Sequence, residues 1–162
     1  MSVPESCTAL SIDDILASLE MRLEIEEVCN IQPLTKALEQ GLSFAKDHKL
    51  TDLADVIKLE LEGYMNQPPS DRFVQLSYFD HGGQIIDGLN QYRIYPLVIG
   101  VRKLELHVKN GLTLILPKQI LNFLSEVVGR EVESGHISPA EINKILESIR
   151  NKFLRQFLII KG

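Results

Sequence analysis

Asp52-Leu53-Ala54-Asp55-Val56-Ile57-Lys58-Leu59-Glu60-Leu61-Glu62-Gly63-Tyr64 reads as an amphipathic helix that breaks at a glycine and hands over to an aromatic residue. At 100° per residue, Leu53, Val56, Ile57 and Leu61 share one stripe, the face such a helix buries. Glu60 falls near the middle of that stripe. A carboxylate aimed at a core is costly unless it is paired or hydrogen-bonded, so the sequence demands a partner for it. Arg72, just beyond a proline turn, is the candidate. Glu60 is either an internal strut of this kind or a buried acid of raised pKa able to move protons. No second titratable group is placed by sequence to complete an active site, which favours the strut. Tyr64 reads likewise as a core aromatic with a satisfied hydroxyl, and Gly63 as the break that releases the chain from the helix.

Upstream of this helix, Ser11 and Asp14 form a capping-box pattern, and Ile12, Ile15, Leu16, Leu19 and Leu23 recur at helical spacing, predicting a helix to about Val28. Residues 1–10 read as a flexible tail. After a break at Asn30–Pro33, Pro33 suits a first helical turn. Leu34, Ala37, Leu38, Gly41, Leu42 and Ala45 then make a narrow apolar stripe. Gly41 costs roughly 1 kcal/mol of helix propensity, a loss that close approach of a neighbouring helix would offset. Thr51 is placed to cap the Glu60 helix, and the short connection makes the two helices antiparallel neighbours.

Downstream, Asn66-Gln67-Pro68-Pro69-Ser70-Asp71 is a turn that cannot be helical. Alternation from Phe73 to Tyr78 predicts one strand, Asp80-His81-Gly82-Gly83 a turn, and Gln84–Asp87 a short returning strand. Tyr92–Val98 reads as extended around Pro96. Residues 101–109 fit either a helix or a strand; the long charged side chains favour helix. Thr113–Leu116 reads as extended. A helix from Lys118 to Val127 should bury Ile120, Leu121, Leu124 and Val127 and stop at Gly129. Arg130–Glu133 could extend once more. Ser138-Pro139-Ala140-Glu141 then opens a helix with Ile142, Ile145, Leu146, Ile149, Phe153 and Phe157 on one stripe. The expected architecture is α+β: an N-terminal helical layer, a small antiparallel sheet and a long C-terminal helix, with residues 11–162 as one domain.

Composition bounds the function. With 44% hydrophobic and 24% charged residues, the chain is ordinary globular material. Its 17 Lys and Arg against 22 Asp and Glu give −5, which argues against a dedicated nucleic-acid binder. The basic residues Arg102-Lys103 and Arg150, Lys152, Arg155 and Lys161 read as solvated flanks. Cys7 and Cys29 lack metal or redox spacing, and a reducing cytoplasmic location is the simplest reading. No signal peptide and no spanning apolar run is visible, so no membrane partner is expected. His48, His81, His107 and His136 are scattered singly, so no metal is expected. No phosphate loop or nucleophile elbow occurs, so no cofactor is expected. Asp80-His81 could be half of a catalytic pair, but turn chemistry already accounts for Asp beside Gly82-Gly83.

The run Leu53–Tyr64, above all Lys58-Leu59-Glu60-Leu61-Glu62-Gly63-Tyr64, resembles the hallmark of the AbiTii domain family. Ser70-Asp71-Arg72-Phe73-Val74 is similar to the family's proline linker and Tyr-Arg step into a strand. Leu116-Pro117 and Ile149-Arg150-Asn151-Lys152 echo its later landmarks, so the order matches over about residues 30–158. Val56-Ile57 stands where the family has a tryptophan step, Glu62 where Asn is usual, and the middle region is shorter. The resemblance implies a bacterial antiphage, abortive-infection context and brings no catalytic residues with it. The function expected is a non-catalytic protein-interaction or regulatory module, its partner a protein or a second copy of itself. The alternative is a toxin-like enzyme such as a nuclease with an acidic site around Glu60 and Arg72. A weaker third reading is a domain that binds a nucleotide signal.

Overall fold

The computed structural model describes residues 11–20 and 33–162. The expectations for residues 1–10, for Leu23 and a helix end near Val28, for the break at Asn30–Gln32, and for Cys7 and Cys29 lie outside the described residues. The architecture is α+β, with helices leading, short antiparallel strands between, and a C-terminal helix of 23 residues. The chain divides into two compact units. Unit 1 holds the residues up to Asn66, Val98–Leu106 and Leu146–Gly162; unit 2 holds Gln67–Leu97 and His107–Ile145.

Unit 1 is helical. Helix α1 (Ile12–Glu20) opens on the expected capping box, Asp14 N donating to Ser11 Oγ at 3.1 Å and Ser11 N to the Asp14 carboxylate at 3.4 Å. Helix α2 (Pro33–Asp47) is capped from far along the chain: the Glu105 carboxylate accepts Leu34 N at 3.0 Å, Thr35 N at 2.7 Å and the Thr35 hydroxyl at 2.6 Å. A carboxylate at the positive end of the helix dipole satisfies amides that the helix itself cannot. Phe44 is buried where the predicted stripe had Leu42, which is only partly buried.

Helix α3 (Thr51–Glu62) packs on α2. Thr51 is its first helical residue rather than its cap; Leu50 occupies the cap without a side-chain bond, because Lys49 turns through a left-handed conformation just before it. Ala54, Ile57, Glu60 and Leu61 are the buried residues. Val56, expected inside, is 38% exposed, since it lies 100° around the helix from Ile57 while Ala54 takes the inner place.

The expected close helix approach at Gly41 is present: a Cβ there would sit 3.0 Å from the ring of Phe157. Residues 101–107 are helical, as α4 (Val101–Leu104) running into a 3-10 turn over Glu105–His107. The long helix α6 (Pro139–Lys161) starts on the predicted proline. Its first residues, to Ile145, belong to unit 2 and the remainder to unit 1.

Unit 2 carries the strands. The segment predicted as one strand from Phe73 to Tyr78 is two, β1 (Phe73–Gln75) and β2 (Ser77–Phe79). Leu76 divides them: its N–H donates to Arg93 O at 2.7 Å and its carbonyl accepts Arg93 Nε at 2.8 Å. The flanking residues therefore join different ladders. The remaining strands are β3 (Ile85–Ile86), β4 (Ile94–Pro96), β5 (Leu112–Leu114) and β6 (Ser134–Ile137). β1 pairs with β4, and a second antiparallel sheet runs β3-β2-β6-β5.

The strand expected at Arg130–Glu133 begins four residues later. Gly129 caps helix α5 (Lys118–Val128) in a left-handed conformation, and Val132 N is held by Ser125 Oγ at 2.9 Å before pairing starts. On α5 only Leu124 is buried. Ile120, Phe123 and Val127 are about half exposed, so the predicted burial of Ile120 and Val127 is not realised. Among the described residues, no helix is long and apolar enough to cross a membrane.

Candidate functional site

In unit 1 the structure brings Glu60, Gly63 and Tyr64 together at the C-terminal corner of α3. Glu60 is fully buried. Its Oε2 accepts the Tyr64 hydroxyl at 2.7 Å and the Lys152 ammonium at 2.8 Å. Tyr64 lies beyond the helix end, so the first contact depends on how the chain leaves the helix at Gly63. Lys152 comes from α6. Ion pairing with a buried carboxylate offsets the desolvation that would otherwise expel the charge.

The corner is closed by two glycines. Gly63 N donates to Leu59 O at 2.8 Å and ends the helix with φ +114°, a conformation that side chains other than glycine's adopt with strain. A Cβ at Gly63 would lie 2.8 Å from Val98 O, and one at Gly100 only 2.0 Å from Leu61 O. Backbone thus packs on backbone. Tyr64 N then donates to Val98 O at 2.8 Å, and Gly63 bridges Ile99, which fastens Val98–Gly100 onto the end of α3. On the outer side, Arg102 pairs with Glu62 at 3.2 Å and with Glu39, and these carboxylates raise the guanidinium's pKa, Glu39 first.

Arg72 lies in unit 2, within a 3-10 turn over Ser70–Arg72 that follows the two prolines. It is fully buried. One guanidinium N–H donates to Leu97 O at 3.3 Å, and its own carbonyl accepts Leu97 N at 2.9 Å. Glu60 and Arg72 therefore belong to different units.

Sequence reasoning missed Lys152, which was read as part of a solvated flank. The signal was present: Lys152 follows Ile145 by seven residues and Ile149 by three, which puts it on the buried stripe of α6. Arg150 also departs from that reading, since its side chain is 12% exposed and pairs with Glu147.

A second polar surface lies in unit 2, an open depression of about 420 Å³ with Phe79, Asp80, His81, Thr113, Glu133 and His136 on its walls. Asp80 makes the predicted turn, its Oδ1 accepting Gly82 N at 2.9 Å and Gln84 N at 2.8 Å. The Gln84 bond first, then Arg130 and the Gly82 bond, hold its pKa below the usual carboxylate value. His81 Nδ1 lies 2.9 Å from Glu133 Oε1, a contact that raises the imidazole pKa. Thr113 Oγ1 and His136 Nδ1 are 3.0 Å apart across the sheet. No set of three or more His, Cys, Asp or Glu side chains suited to a metal occurs among the described residues.

Glu60 is enclosed and bonded, and the unit 2 groups are exposed and paired with one another. The first arrangement can hold helices in register; the second offers polar contacts to a partner. Compared with protein-family models, curated proteins and solved structures, the chain gives no match.

Proposed function

We propose that this chain is a non-catalytic protein-interaction or regulatory module of a prokaryotic antiphage system of the abortive-infection kind, working in the cytoplasm and associating with itself. The observation that carries the reading is the state of Glu60. It is fully buried and bonded to Tyr64 and Lys152, as a strut is, with no exposure to a dissolved substrate. The defence context rests on the AbiTii-like run Lys58–Tyr64, whose residues form this same corner. Half-exposed apolar side chains on α5 and paired polar groups on the sheet supply surface for a partner.

Deleting the gene from its host and plating a panel of phages tests the context. Plating should rise for at least one phage; unchanged plating across the panel counts against it. Light scattering on the purified chain tests the interaction role. A strictly monomeric chain that retains no partner would count against an interaction module.

A further inference from the structure

In unit 2 the chain from β2 to β4 folds around a recess of about 80 Å³. Strand β3 pairs with β2, Tyr78 opposite Ile86, and Gly88 at φ +93° then turns the chain toward a 3-10 turn over Asn90–Tyr92. The Tyr78 hydroxyl donates to Tyr92 O at 2.6 Å and ties that turn back to the sheet. Ile86 and Leu89 are buried and give the recess an apolar lining; its polar lining is Ser77, Asp87, Asn90 and Arg93. Arg93 is held at one nitrogen only. Its Nε donates to Leu76 O at 2.8 Å, and both terminal nitrogens are left without an acceptor among the described residues. Burial raises the Tyr78 pKa and the Arg93 charge works against it, which sets the guanidinium near that hydroxyl. Asp87 lines the same recess, yet it forms no ion pair with Arg93 or with any other described residue. The groups of the Asp80–His136 depression, by contrast, are paired with one another.

We infer that this recess binds a small α-amino acid as its zwitterion, with the carboxylate on Arg93 and the ammonium on Asp87. Three observations converge on that ligand. A guanidinium fixed through Nε presents its two terminal nitrogens as a planar fork, which matches the two oxygens of a carboxylate. Arg93 and Asp87 line one recess without meeting, so a molecule bearing both charges satisfies each. A simple anion would be repelled by Asp87 and a simple cation by Arg93. Size is the third constraint. Pockets for drug-sized ligands run from about 300 to 1,000 Å³, so this recess is too small for a nucleotide and suits a ligand of few atoms. The Ser77 hydroxyl and the Asn90 amide, neither bonded within the described residues, add donors for the carboxylate. The apolar lining favours a short side chain such as that of alanine. So few contacts give weak binding, about millimolar. This site is separate from the self-association proposed above; it gives a regulatory module a small-molecule input.

NMR titration of the isotope-labelled full chain tests this with four probes: L-alanine, acetate, methylammonium and inorganic phosphate. L-Alanine should shift the amide signals of Ser77, Asp87 and Asn90 saturably, and the other three should bind about tenfold more weakly or not at all. Asp87→Asn, at an exposed position, should melt like the parent and bind L-alanine about tenfold more weakly, no better than acetate. Arg93→Lys keeps the charge but loses the fork, and should weaken L-alanine and acetate alike. An L-alanine titration that leaves these amides unmoved up to about 50 mM overturns the site. Acetate or phosphate binding as tightly as L-alanine, or an Asp87→Asn chain that binds L-alanine like the parent, overturns the zwitterion. None of these outcomes depends on whether the chain is a monomer or a dimer, so the ligand site and the self-association stand or fall separately.

Discussion

Lys152 Nζ donates to Glu60 Oε2 at 2.8 Å although 92 residues separate the two in sequence. The contact ties the C-terminal helix to the end of α3, at the point where Tyr64 meets the same oxygen. A charge removed from water in this way is stabilising only while its partners remain.

Removing the acid should therefore cost more than removing one donor. Glu60→Ala is expected to destabilise the fold by about 3 kcal/mol. Tyr64→Phe, which deletes one hydroxyl, should cost about 1 kcal/mol. Urea denaturation of each variant checks this; equal and small losses would show that the carboxylate is not a structural centre.

The glycines of the corner differ in kind from the surface ones. Gly100→Ala forces a methyl group to within 2.0 Å of Leu61 O and should cost about 3 kcal/mol. Gly82→Ala meets only an Asp80 oxygen at 3.6 Å and should change stability by less than about 0.5 kcal/mol. Similar melting temperatures for the two variants would contradict the close packing of Val98–Gly100 on α3.

The burial found on α5 gives a third contrast. Leu124→Ala should lose about 2–5 kcal/mol as a core truncation. Ile120→Lys, at a site 46% exposed, should lose less than about 0.5 kcal/mol and raise solubility. A severe loss in Ile120→Lys would mean that this face is covered.

His81 should titrate above its ordinary value of 6.5, chiefly through its hydrogen bond to Glu133. A raised folded pKa means that the protonated form stabilises. That contribution is complete below the unfolded value and is lost as pH rises through the folded one. NMR titration of the imidazole should show the shift, and Glu133→Gln should bring it back toward 6.5; an unchanged value in that variant would remove Glu133 as the cause.

Periodicity carried much of the fold. The stripe on α6, most of the α2 stripe, Ile57, Glu60 and Leu61 on α3, the capping box at Ser11 and the close approach at Gly41 were legible because helix burial depends on spacing that a sequence displays directly. Strand placement was less so. Ser134-Gly135-His136-Ile137 has little β character, and its pairing is fixed by β2 and β5 on either side, which no local pattern shows. The division of Phe73–Phe79 at Leu76 depends on Arg93, also distant in sequence.

The site was half legible. That Glu60 is buried, and that a partner is needed, follow from a charged residue on an apolar stripe. The identity of Lys152 required the meeting of two helices. The exposed face of α5 was unreadable for the same reason: an amphipathic pattern says which side is apolar, not whether anything covers it.

The most direct test of the account is a double-mutant cycle on Glu60→Gln and Lys152→Met, measured by urea denaturation. If the acid serves as a strut, the two changes should be coupled by about 1–3 kcal/mol, because each removes the 2.8 Å contact between the two groups. Additive losses, with no coupling between the two sites, would contradict the claim that Glu60 is held in place to brace the fold.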